Sequence, residues 1–396
     1  MNRTASVMLP AATPILGAFR TWSLHLFAFV LPLVNVVFLV SGPHRWWSAL
    51  LWTSPVWILV AVDNRNRPDF RQPPEDIASW PFDLQLYLLT ALQIVNHVLV
   101  CVMASKLSVS SWGGVGTTLA NLVAVIIVSG TTAGYSGIVT AHELVHRRSA
   151  VEHFLGRLLL MFVCYEQFAT EHVRGHHPRL GTAEDPATAR FDEPLKDFIR
   201  RTIPAQFKSA WRLEKIRLGD EHMKWNDPRM VRHRVLQGVV GEVLIVLVFL
   251  AVFGPLAAAF FLVQARSAIA LLETVNYIEH WGITRVTRAV TPVDSWDTDN
   301  GFTLRTLVGL SRHADHHAQA SRPFQKLRYF EQSPKMPLGY YGTVLLAMFR
   351  NTEYRKRATA ELERCGLGPF RKREASGASS APVVLDDSHR ATGMVA

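Results

Sequence analysis

The chain has 396 residues, 49% hydrophobic and 19% charged, with 42 Lys and Arg against 32 Asp and Glu and a net charge of +10. The apolar residues lie in long blocks, which excludes a disordered, collagen-like or secreted disulfide-rich protein. Three widely spaced cysteines, Cys101, Cys164 and Cys365, exclude a zinc ribbon or a disulfide framework.

A helix needs about 20 mostly apolar residues to cross a bilayer. Six stretches predict such spans: 22–41, 46–62, 84–105, 117–139, 237–253 and 256–278. They pair into three hairpins through Ser41–Arg45, Lys106–Gly116 and the turn at Gly254–Pro255. The N-terminus lacks a short apolar core with a cleavage site, so no removed leader is expected. Residues 154–168 are apolar but too short to cross, which predicts an interfacial or re-entrant helix. Residues 195–218 mix Phe198, Phe207 and Trp211 with many basic residues. They predict amphipathic elements on the lipid headgroups, broken at Pro204, with a solvated helix as the alternative. The tail 369–396 is rich in Ser, Ala and charge and is expected to be disordered, leaving one membrane domain over 1–368.

Positive residues set the orientation. With the N-terminus inside, every Lys and Arg except Arg45, Lys106 and Arg266 falls in an inside segment. Both termini are therefore expected in the cytoplasm. The net charge then reports topology and attraction to anionic lipid rather than nucleic-acid binding. Arg266 within the sixth span is costly unless paired, and Glu273 is a possible partner.

Of 16 histidines, nine gather in four clusters: His142-Glu-Leu-Val-His146, Glu171-His172-Val-Arg-Gly-His176-His177, Asn276-Tyr-Ile-Glu-His280 and His313-Ala-Asp-His316-His317. Residues four apart share a helix face, so His142 with His146, and His172 with His176, are expected to reach one metal each. His313 and His316, three apart, share a face as well. The adjacent pairs His176–His177 and His316–His317 diverge by about 100° and can serve two different ions. Imidazole suits Fe, Zn, Cu or Ni. Nine ligands exceed what one ion holds; two ions with four or five each leave places for oxygen. Spans four and six deliver His142, His146 and His280 to one membrane face, where the other clusters also lie. The scattered His25 and His97 are read as satisfied polar residues.

At these residues the sequence resembles the membrane-bound alkane 1-monooxygenase family, within the fatty-acid desaturase–hydroxylase superfamily. HELVHRR (142–148), EHVRGHH (171–177), NYIEHWG (276–282) and LSRHADHHA (310–318) carry the likeness, with GTAEDPATA (181–189) and PLGYYG (337–342) beside them. The resemblance runs from about residue 20 to 350. It implies an all-α six-helix membrane bundle with a cytoplasmic cap, in a bacterial inner membrane. It implies a non-haem di-iron centre on His142, His146, His172, His176, His177, His280, His313, His316 and His317. It implies terminal hydroxylation of alkanes with O2, and electrons from rubredoxin reduced by an NAD(P)H-dependent reductase. Arg147, Trp281 and Ser311 depart from the commoner family pattern beside ligands without replacing one, which leaves the preferred substrate open.

An unactivated C–H bond needs an oxidant that no side chain supplies, so a cofactor must carry the chemistry. Carboxylates behind imidazole ligands orient the rings and raise their basicity. Glu143, Glu273 with Asn276, and Asp315 are the first choices for this supporting role; Glu171, Glu279 and Asp185 follow. The substrate is expected to be an apolar chain entering from the bilayer, its length limited by bulky residues such as Trp52, Trp57 or Phe253. Three rivals stand beside this. A desaturase could use the same scaffold. His142-Glu143-Leu-Val-His146 also fits the zinc-peptidase pattern, which needs one zinc and leaves most clustered histidines without a task. A histidine-rich metal transporter would hold its ligands near the bilayer midplane rather than at helix ends.

Overall fold

The computed structural model describes residues 14–74 and 76–371. Among the described residues the protein is all-helical; the only β pairing is two isolated bridges, Pro68 with Asn300 and Asp297 with Lys335. Five helices are long and apolar enough to cross a membrane: Ala18–Ser41, Trp80–Ala104, Trp112–Val145, Arg234–Phe253 and Pro255–His280.

The stretch 46–62, expected as one span, is instead two helices, Trp46–Leu51 and Ser54–Arg65. Pro55 has no N–H to bond the Leu51 carbonyl, and Thr53 turns its hydroxyl back onto Leu50 O at 2.8 Å. Just before these two helices His44 N–H donates to Asn121 Oδ1 at 3.0 Å, near the start of Trp112–Val145. Just after them Asn66 Nδ2 donates to Asn300 Oδ1 at 3.1 Å, in the segment leading to the last histidine cluster.

The helix Trp112–Val145 runs 34 residues, well past the expected 117–139. At 1.5 Å per residue it extends about 50 Å, against about 30 Å of hydrocarbon. It is therefore longer than one crossing of a bilayer core needs. It packs on Pro255–His280 through glycines four residues apart. A Cβ on Gly130 would lie 2.6 Å from Ser267 Cβ, and one on Gly134 would lie 3.1 Å from Leu271 Cδ1. Small residues at this spacing let two backbones approach closely.

Apolar side chains also form the outer surface. Val240, Val243, Leu244, Leu247 and Val248 on Arg234–Phe253 are all exposed, as suits a helix facing lipid. Polar groups inside the bundle pair with one another. Asn35 donates to Asn96 at 2.8 Å and accepts from Ser129 at 2.7 Å, and Gln264 meets His97 Nδ1 at 2.9 Å. Arg266 is exposed on the outer face, and Glu273 is buried and bonded elsewhere, so the proposed pairing of these two does not form.

Two further expectations shift. The interfacial stretch 154–168 resolves into Ala150–Met161 and Gln167–Thr170, separated by a turn in which Cys164 adopts φ 53°. The helix Leu195–Arg217 continues through Pro204 rather than breaking there. Burial of Phe198, Ala210 and Glu214, and the Thr202 hydroxyl donating to Pro186 O at 2.9 Å, offset the lost backbone bond. Beyond Arg371 the expected tail lies outside the described residues; Gly368–Phe370 forms a short helical turn.

Candidate metal centre

Each histidine cluster sits where a helix ends or changes its winding. His142 lies in the last turn of Trp112–Val145, and His146 follows directly after it. His280 is the last residue of Pro255–His280, and His313–Ala318 is a short helix carrying the remaining three. The second cluster is wound as a π-helix over Glu171–His176, in which the His177 N–H bonds the His172 carbonyl. That winding brings residues five apart onto one side, and such turns recur at functional sites. A Cβ on Gly175 would lie 2.6 Å from the Glu171 carboxyl carbon, so glycine permits the tight packing inside this turn.

The nine imidazoles converge in two adjoining groups. His142, His146, His172, His177 and His316 place a ligand nitrogen each within 4.8 Å of one another. His176, His280 and His317 form a second set, and His280 and His313 form a third with Glu279. His313 Nε2 lies 2.8 Å from His317 Nε2 and 3.4 Å from His280 Nε2, so the last two sets are contiguous. The sequence expectation paired His172 with His176 and His313 with His316. The structure separates both pairs. The π turn swings His177 to His172, with 3.1 Å between their Nε2 atoms, and sends His176 to the other group. In the fourth cluster the partners are His313 and His317, four apart, while His316 reaches His177 at 3.1 Å. The adjacent pairs do diverge to different groups.

These donors fit a cation. The rings meet nitrogen to nitrogen, and His142 Nε2, His146 Nε2 and His176 Nε2 are buried without a hydrogen-bond partner among the described residues. Buried lone pairs aimed at each other are costly unless something positive lies between them. Burial, and then the neighbouring imidazoles, hold His146, His172, His177, His313, His316 and His317 well below the usual histidine range. Burial thus favours the neutral form of these six rings, the form in which imidazole binds a metal.

Carboxylates support the rings, though not the ones ranked first from the sequence. The His176 Nδ1–H donates to Asp185 Oδ2 at 2.8 Å, and the Thr188 hydroxyl donates to the same oxygen at 2.5 Å. Glu279 Oε2 lies 3.2 Å from His313 Nε2, while Tyr340 donates to its Oε1 at 2.6 Å. Glu143 instead accepts from Arg147 Nε at 2.9 Å and from the Phe324 amide at 3.3 Å. It ties the first cluster to the loop after the fourth, which is not the task of a peptidase base. Asp315 accepts from Arg322, at 2.5 and 2.6 Å, and from the Arg328 amide at 2.7 Å. Glu273 accepts from Tyr165 at 2.7 Å, from Gln206 at 3.0 Å and from Asn276 at 3.2 Å. Glu171 pairs with Arg179 at 2.7 Å. Tyr340, Tyr165, Gln206 and Thr188 were not singled out from the sequence. Tyr340 lies in PLGYYG (337–342) and Thr188 in GTAEDPATA (181–189), the two segments flagged beside the histidine clusters.

A narrow apolar cavity, about 440 Å³ of empty space, runs between Trp112–Val145 and Pro255–His280. Gly134, Tyr135, Ile138, Leu271, Leu272 and Val275 line its walls, and His142, His172, Asn276, Glu279 and His313 line its inner end. A water-poor slot thus leads to the convergent imidazoles.

Residues 117–342 match the family described as Fatty acid desaturase, more than half of the chain. That places the fold and its histidine clusters in the desaturase–hydroxylase superfamily. The chain is 36% identical over 300 residues to Alkane 1-monooxygenase 1 of Pseudomonas aeruginosa, covering 74% of this chain and 75% of that one. It is 31% identical over 334 residues to Alkane 1-monooxygenase 2 of Alcanivorax borkumensis, covering 82% and 86%. It is 31% identical over 360 residues to the Alkane 1-monooxygenase of Pseudomonas putida, covering 88% and 86%. The chain belongs to the alkane 1-monooxygenase family.

Proposed function

We propose that this protein hydroxylates the terminal carbon of medium- or long-chain alkanes to 1-alkanols. One observation carries this: an apolar slot within a membrane bundle ends on His142, His172 and His313, three of nine converging imidazoles. The ligands proposed are His142, His146, His172, His177 and His316 for one ion, and His176, His280, His313 and His317, with Glu279 alongside, for the other. Two iron ions held there would supply, with O2, the oxidant that an unactivated C–H bond requires.

The chain's own residues do the rest. Ile138, Leu271, Leu272 and Val275 bind the hydrocarbon and exclude water. Asp185 fixes the His176 ring through its Nδ1, which keeps Nε2 aimed inward, and Glu279 stands beside the ligand atom of His313. Electrons are proposed to come from rubredoxin, reduced by an NAD(P)H-dependent reductase.

The bundle is proposed to cross a bacterial inner membrane six times, with both termini in the cytoplasm. The broken pair over 46–65 is the second crossing; the His44–Asn121 and Asn66–Asn300 contacts at its opposite ends support this. The Lys and Arg distribution supports the orientation.

The test supplies cells making the protein with alkanes from C6 to C20 and identifies the products by mass. Primary alcohols are expected. Alkenes would point to desaturation on this scaffold. Metal analysis of the purified chain is expected to find two irons, and a single zinc would overturn the site.

A further inference from the structure

Arg266 stands exposed on the outer face of Pro255–His280, with no ion pair or hydrogen bond among the described residues. Leu262, one turn away, and Val123 and Ile126 on the neighbouring helix are exposed too, so its surroundings are apolar. Twelve residues separate it from Gly254, where the helix begins, which is about 18 Å at 1.5 Å per residue. A bilayer core is about 30 Å thick, so Arg266 sits close to the midplane, with headgroups about 15 Å away on either side. A charge at that depth needs a partner at the same depth.

Glu242 meets that condition. It precedes Gly254 by twelve residues in Arg234–Phe253, the other arm of the same hairpin. It is partly exposed, among the exposed Val240, Val243, Leu244 and Leu247. The Glu166 N–H donates to its Oε1 at 2.8 Å, and no cation pairs with it among the described residues. Within one chain the two charges lie on different flanks. Ser267, next to Arg266, donates to Ile126 O at 3.1 Å, which puts Arg266 beside Trp112–Val145. A Cβ on Gly241, next to Glu242, would lie 2.8 Å from Met161 Sδ, which puts Glu242 beside Ala150–Met161.

We propose that Arg266 of one copy pairs with Glu242 of the next, and that the protein assembles in the membrane as a ring of identical chains. Equal depth lets the pair form with every copy upright in one bilayer. Two different flanks make the contact head-to-tail, and such contacts close into rings when the rotation closes, here about an axis normal to the membrane. The apolar residues around both charges keep water out, which strengthens their attraction. Glu242 also holds the Glu166 amide, just before the helix Gln167–Thr170 that leads into the π turn. The Arg266 of a neighbouring copy therefore steadies the segment that carries His172, His176 and His177. The proposal rests on this hairpin crossing the membrane and is independent of the reaction.

The test reconstitutes the full chain, with one fluorophore on a C-terminal tag, at low density in liposomes of phosphatidylethanolamine and phosphatidylglycerol. Photobleaching steps count the chains in each particle. Wild type is expected to show several steps. Arg266→Gln, and Glu242→Gln, which keeps an acceptor for the Glu166 amide, are each expected to weaken assembly about tenfold or more. The double variant is expected to match either single one, since each already removes the same pair. Mixing the two single variants leaves one intact contact between unlike chains, so particles of two steps and no larger are expected. Arg266→Leu serves where the glutamine variant does not accumulate, because Arg266 has no bond within its own chain to lose. Wild type that bleaches in one step, assemblies that neither variant weakens, or mixed variants that stay single overturn the proposal. Phospholipid that copurifies with single wild-type chains and is lost in Arg266→Gln would overturn it in favour of a headgroup phosphate.

Discussion

His172 and His177 are five residues apart, yet their Nε2 atoms lie 3.1 Å from each other. An ordinary α-helix would set two such side chains about 140° apart, since each residue turns about 100°. The π winding of Glu171–His176 removes that angle and assigns the two neighbours His176 and His177 to different groups.

If the two groups each hold one ion, substitutions within a group are redundant and substitutions across groups add. His172→Ala/His177→Ala is expected to retain about one iron per chain, and His172→Ala/His176→Ala to retain none. Elemental analysis of the purified variants decides. Equal losses in the two double variants would mean that the nine rings serve one shared ion.

Asp185 holds His176 at its Nδ1. Carboxylates in this position commonly tune metal affinity or activity 10–100-fold. Asp185→Asn is expected to lower iron affinity at the His176 group by about tenfold or more while leaving the His172 group loaded. Titration with ferrous iron and a competing chelator checks this. A single unchanged affinity would show that Asp185 only fastens the loop through Thr188.

Gly175→Ala puts a methyl 2.6 Å from the Glu171 carboxyl carbon. Overpacking of this kind costs about 1–3 kcal/mol. Strain is expected to appear as a lower melting temperature together with loss of metal from the group that depends on the π turn. A variant with unaltered melting and metal content would show that the winding tolerates a side chain.

Six of the rings outside the spans titrate well below the usual histidine value, chiefly through burial. Ordinary histidines take up protons as pH falls through about 6.5, so sites built from them release protons on metal binding and weaken there. In this protein the folded pKa values are depressed, so the rings stay neutral through that window. Metal affinity is expected to stay level between pH 8 and 6 and to fall only at lower pH. Calorimetry in buffers of different ionisation enthalpy should find close to zero protons released near pH 6.5. Release of several protons would contradict the burial of these rings.

Much of this protein was legible from its residues. Long apolar stretches bounded by charge marked the crossing helices, because bilayer thickness sets how many apolar residues a crossing needs. The nine histidines marked a candidate metal site by their number, and His280 ends its helix close to the expected boundary, whereas the fourth span runs on to Val145, well beyond the expected 139. The break at Thr53 was missed because a 17-residue apolar run reads the same whether or not a proline interrupts its hydrogen bonds. The continuity through Pro204 was missed for the converse reason: tertiary packing of Phe198 and Glu214 offsets what the proline removes.

Sequence by itself determined the kinds of candidate donor atoms, and the apolar helices that carry them, since these follow from composition and period. Only the tertiary structure decided which ring joins which group and which acids stand behind them. Asp185 and Glu279 reach imidazoles while Glu143, Glu273 and Asp315 bind loops and helices. The physical reason is winding and long-range packing. A change from α to π turns redirects a side chain by tens of degrees, and contacts between residues more than a hundred positions apart fix where it ends.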